Sequence, residues 1–210
     1  MDTAVKKKSL IQDIAAEGGF ITVKGLDKDA FIRLSGAYPE LSLERKPDGN
    51  IIVMTPVKGG SGMREHKLSL RIGNYCEKHL GGLTFSPSTG FDLPDGSTRS
   101  PDIAWIGPEK LSELSAEALE NEFIPLVPDF VAELRSKSDA LPHLRAKMTG
   151  AWIANGVRLA WLIDPYEEKA WIYRQNGSVE VVEGFDGKLS GEEVLPGFEL
   201  ELGEFRLMSK

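Results

Sequence analysis

The stretch Pro128-Asp129-Phe130-Val131-Ala132-Glu133-Leu134-Arg135-Ser136 decides how this chain is read. Phe130, Val131, Ala132 and Leu134 mark a strand that should be buried, and Glu133 interrupts it. Side chains alternate across a strand, so Val131, Glu133 and Arg135 share one face. Burying a lone carboxylate costs several kcal/mol, so Glu133 needs a cation, a proton or a metal.

A second strand, Pro101 to Ile106, carries a similar exception. Asp102, Ala104 and Ile106 fall on one face, Ile103 and Trp105 on the other. Taken singly, each acid has an ordinary explanation: Glu133 pairs with Arg135, and Asp102 caps a turn after Ser100. The two are 133 − 102 = 31 positions apart, which leaves room for one connecting segment between neighbouring strands. Side by side they form the oxygen-rich site that Mg2+ or Mn2+ prefers. Lys147 is the third element. It follows Leu144 by three and precedes Ala151 by four, so it projects from the apolar side of a helix. A lysine there either snorkels to solvent or neutralises something buried.

Working outward, the spacing predicts a short helix capped by Asp27, carrying Phe31, Leu34 and Tyr38 and stopping at Pro39. Strands Leu41 to Lys46 and Asn50 to Val57 flank the turn Pro47-Asp48-Gly49. After Gly59-Gly60-Ser61-Gly62 a helix with Leu68, Ile72, Tyr75 and Cys76 on one face runs to Gly81-Gly82. Short strands follow at Leu83 to Ser86 and Gly90 to Leu93, then a Pro94-Asp95-Gly96 turn. One helix is expected between Pro108 and Glu122, and a second strong one, capped by Asp139 or Ser138, ends at Asn155-Gly156. Arg158 to Asp164 reads as a buried strand, and a hairpin over Asn176-Gly177 joins Lys169–Arg174 to Ser178–Val182. The fold class is α/β: a mixed sheet flanked by helices, with added N-terminal and C-terminal β-hairpins. Residues 1–20 read as an N-terminal arm and 21–210 as one domain, with a core at about 37–165 and a C-terminal β extension at 166–210.

Composition narrows the chemistry. Cys76 is the single cysteine, which excludes an intrachain disulfide and a thiolate cluster. His66, His79 and His143 are too dispersed for an imidazole zinc site, so a metal would bind oxygen. No apolar run approaches a membrane span and no basic-then-apolar leader opens the chain, which points to a cytoplasmic protein. The net charge of −7 opposes nucleic-acid binding over the whole surface. Arg64, Lys67 and Arg71 follow at helical spacing, as on a solvated helix face or in a local basic groove.

Ser100-Pro101-Asp102, the run from Pro128 to Asp139, Lys147, Asn155-Gly156-Val157 and Trp161-Leu162-Ile163-Asp164-Pro165 together resemble the Uma-two family, classed with restriction endonucleases in the PD-(D/E)xK nuclease superfamily. The resemblance runs from about Ala37 to about Pro165. It implies a restriction-endonuclease-like core in which Asp102 and Glu133 ligate Mg2+ or Mn2+ and a lysine orients or activates water. Glu133-Leu134-Arg135 places arginine where the superfamily motif has lysine, and Lys147 is the candidate replacement. Lys147 then takes the catalytic role, with its pKa expected to be lowered by burial and metal, and Arg135 a phosphate-binding or structural one. Glu65 opens the inward face of the first long helix, where the superfamily often adds an acid; the alternatives are a first-turn acid favoured by the helix dipole and His66 in that role.

The expected function is metal-dependent hydrolysis of phosphodiesters in nucleic acid, DNA first, by a possible homodimer. Two other readings stand beside it: a non-catalytic binding module on the same fold, and a metal-dependent hydrolase of small phosphate esters.

Overall fold

Two strands buried on every side chain, β8 (Phe130–Leu134) and β9 (Leu159–Asp164), form the centre of the molecule. Such continuous apolar runs require cover on both faces. The computed structural model describes residues 21–23 and 25–208; the arm expected at residues 1–20 lies outside them. β8 and β9 pair in parallel. Around them β4 (Leu83–Phe85), β7 (Ile103–Ile106), β10 (Lys169–Arg174) and β11 (Val179–Glu183) complete a six-stranded sheet in the order β11-β10-β9-β8-β7-β4. Every other pairing in it is antiparallel.

One face of this sheet packs under helix α2 (Gly59–His79), where Phe130, Ala132 and Leu134 meet Leu68, Ile72 and Cys76. The same core takes in Phe198, Leu200 and Phe205, around the small hairpin of β12 (Lys188–Ser190) and β13 (Glu199–Glu201). The opposite face gathers Val131, Ala104 and Leu162 against Met148, Ala151 and Trp152.

A second sheet has the order β1-β3-β2-β6-β5. It contains β1 (Ile21–Val23), β2 (Ser42–Arg45), β3 (Ile51–Met54), β5 (Phe91–Asp92) and β6 (Thr98–Arg99). Helix α1 (Lys28–Ala37) closes a small core of Phe31, Leu43 and Ile51, and Asp27 caps it by accepting from the Ala30 N–H at 2.7 Å. The β2–β3 turn has Gly49 at φ 81° and the Asp48 carboxylate accepting from the Asn50 N–H. Strand β6 is too short to announce itself in sequence. It pairs with β2 and β5 and hands the chain directly to β7.

Three expectations are corrected. Helix α2 begins at Gly59 and takes in the glycines, because an extended Lys58 starts the turn and its carbonyl accepts the Gly62 N–H at 3.0 Å. The single helix expected between Pro108 and Glu122 is two, α3 (Pro108–Leu111) and α4 (Ala116–Asn121), divided where Ser115 starts a new N-cap on the Ala118 N–H. The helix after β8 is capped by neither Ser138 nor Asp139. Asp139 accepts from the Ser136 N–H, and α5 (Leu141–Lys147) starts after Ala140 with Pro142 in its first turn. It continues as a π-helical turn, Met148–Trp152, and a 3-10 turn, Ile153–Asn155, that ends at Gly156 with φ 106°.

The α2–β4 connection ties the helix to the site strand β7. Gly82 has φ 74°, and a Cβ there would overlap the Ile106 carbonyl oxygen and stand 3.0 Å from the Trp105 indole nitrogen. Gly82→Ala combines backbone strain with that overlap, so it should lower stability by about 1–3 kcal/mol, read as an earlier urea midpoint with an unchanged slope.

Candidate active site

Strands β7 and β8 run antiparallel with Ile103 opposite Ala132 and Ala104 opposite Val131. One further step of the same register sets Asp102 across from Glu133. The Leu134 N–H donates to Asp102 Oδ2 at 2.6 Å, which locks that apposition. Alternation along β8 turns Glu133 away from the α2 core and toward Trp152, whose Nε1–H donates to Glu133 Oε1 at 2.9 Å.

Lys147 closes the site. Its ammonium lies 2.8 Å from Glu133 Oε1 and 2.9 Å from Glu44 Oε1, and it donates to the Ser100 carbonyl at 2.9 Å. Glu44 also accepts from Arg99 at 2.9 Å and from the Ser100 N–H at 3.1 Å. The network therefore joins β2, the β6–β7 connection, β8 and the end of α5.

Its charge is unevenly satisfied. For Glu44, burial alone would raise the pKa, but Lys147 and then Arg99 hold it below the usual carboxylate value. For Glu133, burial outweighs the attraction of Lys147, with Glu44 adding repulsion, so the pKa is raised. Asp102 is pushed well above its ordinary range, first by burial, then by Glu133 and Glu65. It makes no ion pair among the described residues, and Glu44, Asp102 and Glu133 outnumber Lys147 and Arg99. A deficit of positive charge among carboxylate oxygens is the donor chemistry that fits Mg2+ or Mn2+.

The expected lowering of the Lys147 pKa is corrected for the metal-free chain. Burial would lower it, but Glu133 and then Glu44 more than offset that and raise it. Lys147 is thus a fixed ammonium.

The remaining candidates separate. Glu65 lies near enough to repel Asp102, and burial followed by Asp139 raises its own pKa. It does not complete a cluster, for among the described residues no three Asp, Glu, His or Cys side chains converge as a metal-binding group. His66, exposed on α2, has no hydrogen bond to these carboxylates among the described residues. Arg135 makes no ion pair with Glu133 among the described residues. It donates to Asp164 at 2.7 Å and to the Asp139 carbonyl at 3.2 Å, and its guanidinium lies over the Tyr166 ring. Lys67 and Arg71 are engaged by Glu204 rather than lining an open basic groove, and Arg64 is buried.

Glu44 and Arg99 escaped the sequence reading. Glu44 alternates with Leu43 and shares its strand face with Ser42 and Lys46, a pattern that reads as solvent-facing. No local signal in the sequence marked either residue.

A mixed sheet with carboxylates opposed at the ends of two neighbouring strands, and helices on both faces, defines a restriction-endonuclease-like fold. The chain matches the Uma2 family, described as "Putative restriction endonuclease", over residues 29–203, and it belongs to that family. It is similar in fold to a crystal structure from Anabaena variabilis described as a putative nuclease, with a TM-score of 0.71 and 18% identity over 86% of this chain and 97% of that one. No curated protein matches it. No described helix is long and apolar enough to cross a membrane.

Removing Glu44 leaves Lys147 and Arg99 buried with lost partners. Glu44→Ala should cost about 3–5 kcal/mol. Glu44→Gln, which keeps an acceptor, should cost less. Urea unfolding of both variants checks the order.

Proposed function

We propose that this chain is a Mg2+- or Mn2+-dependent nuclease that hydrolyses phosphodiester bonds in DNA, within a single domain spanning residues 21–210. The observation that carries the reading is the enforced apposition of Asp102 and Glu133, with an ammonium already seated on Glu133 Oε1. Asp102 and Glu133 would hold the metal. When bound, it supplies Lewis-acid polarisation of the phosphate and neutralises charge developing on the leaving oxygen.

The chain's own groups do the rest. Lys147, fixed by Glu133, Glu44 and the Ser100 carbonyl, holds a positive charge and N–H donors beside the site, where they can orient an attacking water and stabilise the phosphorane oxygens. Being protonated, it acts as a positioned donor and not as a base. Trp152 and Lys147 both take Glu133 Oε1, and Oε2 of that carboxylate has no hydrogen-bond partner among the described residues. The burial of Glu133 and the partial burial of Asp102 limit competing water and strengthen each of these interactions.

Asp102→Asn and Glu133→Gln should each abolish Mn2+ binding by calorimetry and lower nicking of supercoiled plasmid by at least about 10²–10³-fold. Full Mn2+-dependent nicking by either variant would sink the reading. Lys147→Gln should keep Mn2+ binding and lose rate by a similar factor, since the lysine acts on the reaction and not on the metal.

The pH dependence has a definite sign. Asp102 and Glu133 have raised pKa values in the metal-free chain, so they bind protons that must leave before a cation enters. Metal affinity and rate should therefore climb with pH from the ordinary carboxylate range upward. Lys147 is held above its ordinary 10.5, so it imposes no falling limb below that pH. The same linkage acts on stability. A raised carboxylate pKa means that the folded state keeps its proton longer, so metal-free stability falls as pH rises through the folded-state value. Asp102→Asn should flatten that fall in a pH series of melting temperatures, and Mn2+ should raise the melting temperature of the parent chain alone.

One observation favours a second reading, a binding module without catalysis: Lys147 is already neutralised by two carboxylates, and arginine stands at position 135. Calorimetry separates the two, because the module predicts no Mn2+ binding that Glu133→Gln could remove.

A further inference from the structure

Helix α2 starts without any of the usual partners for its first amides. Lys58 stands at the N-cap and provides no side-chain hydrogen bond, and the first turn contains no acid. Among the described residues, the N–H groups of Gly59, Gly60 and Ser61 have no acceptor; the Gly62 N–H alone is used, by the Lys58 carbonyl. Unfilled amides at the start of a 21-residue helix carry partial positive charge, and glycines let a ligand approach the backbone closely.

A second, independent observation points the same way. Arg64, one turn further on, is 4% exposed, yet its Nε has no hydrogen-bond partner, and the residue makes no ion pair among the described residues. Its guanidinium folds back over the first turn: Nη1 and Nη2 each lie 3.6 Å from the point where a Cβ on Gly60 would sit. A buried, unpaired guanidinium is costly, and an anion would repay that cost. Lys67 and Arg71, on the same helix, are instead consumed by Glu204.

The place of this cradle gives its ligand. Glu65, the next residue, faces the carboxylate pair closely enough to repel Asp102. The helix that carries the cradle therefore also borders the carboxylate pair, through Glu65. The guanidinium fork and convergent amides suit the oxygens of a phosphate. We propose that Arg64 and the first-turn amides of α2 bind a backbone phosphodiester of the nucleic-acid substrate. This rests on the nuclease reading. Arg64 is a positioning residue: it sets the strand relative to the metal.

The test uses the full chain without metal, so its result is independent of whether DNA is cleaved. Amide spectra labelled with 15N are recorded during titration with hexathymidylate and, separately, with inorganic phosphate. The amides of Gly59, Gly60 and Ser61 and the Arg64 Nε–H should shift, with hexathymidylate saturating at the lower concentration. Arg64→Gln should weaken that binding about tenfold and reduce the slope of log K against log salt by about 1. Gly59→Pro removes one donor at a position where proline suits the helix and the extended Lys58 suits a following proline. It should weaken binding with no fall in melting temperature, which a purely structural role would not produce. Unmoved first-turn amides, or unaltered binding by both variants, would overturn the proposal. So would saturation by inorganic phosphate alone, which would assign the cradle to a free phosphate. Loss of Mn2+ binding with these shifts intact would overturn the nuclease reading and leave the anion site standing.

Discussion

The ammonium of Lys147, shared between Glu133 and Glu44, is the interaction on which the site depends. Glu133 belongs to the six-stranded sheet and Glu44 to the five-stranded one, so the two sheets meet through this charge. Without it, two buried carboxylates would stand close together with Arg99, on Glu44, as the one cation paired with either among the described residues. The cost of desolvating the acids and the lysine is tolerable only because each supplies the other's missing partner. The Ser100 carbonyl takes a further N–H of the same ammonium, which draws the β6–β7 connection into the network and sets Asp102 at its exit.

Three carboxylates in one neighbourhood then behave differently, and distance from the cations explains the order. Glu44 touches Lys147 and Arg99 and is held low; Glu133 touches Lys147 alone and is raised; Asp102 touches neither and is raised most strongly. The gradient of unsatisfied charge runs away from Glu44. Glu44 is the counter-ion of Lys147 and Arg99, and the unsatisfied charge lies at Asp102 and Glu133.

The sequence revealed the parts governed by local rules. Alternation in Phe130–Leu134 and in Ile103–Ile106 assigned each side chain to its face, and helical spacing put Lys147 inward, because both depend only on neighbours along one element. Glu44 was hidden because a glutamate between Leu43 and Arg45 has the pattern of a solvated strand; it is buried by β6, a two-residue strand formed by contacts more than fifty positions away. Arg135 was misleading for the converse reason. Its face was read correctly, but its partner, Asp164, comes from β9, the neighbouring strand. Long-range pairing decides which of several compatible carboxylates an arginine takes, and no local pattern encodes it.

The π-helical turn explains how a helix can supply the lysine that β8 lacks. Lys147 and Trp152 both reach Glu133 Oε1, yet they are five positions apart. In a regular α-helix of 3.6 residues per turn, such positions point about 140° apart. Closing the turn between Met148 and Trp152 with the wider i to i+5 spacing, seen in the Ile153 N–H bonding to the Met148 carbonyl, brings the two side chains toward one side. Such a turn is rare and gives up regular hydrogen-bond geometry, so it persists where the surroundings require it. Here an indole N–H and an ammonium must converge on a single buried oxygen. Arginine at position 135 braces Asp164, while the positive charge on Glu133 arrives from the end of α5, aligned by that turn.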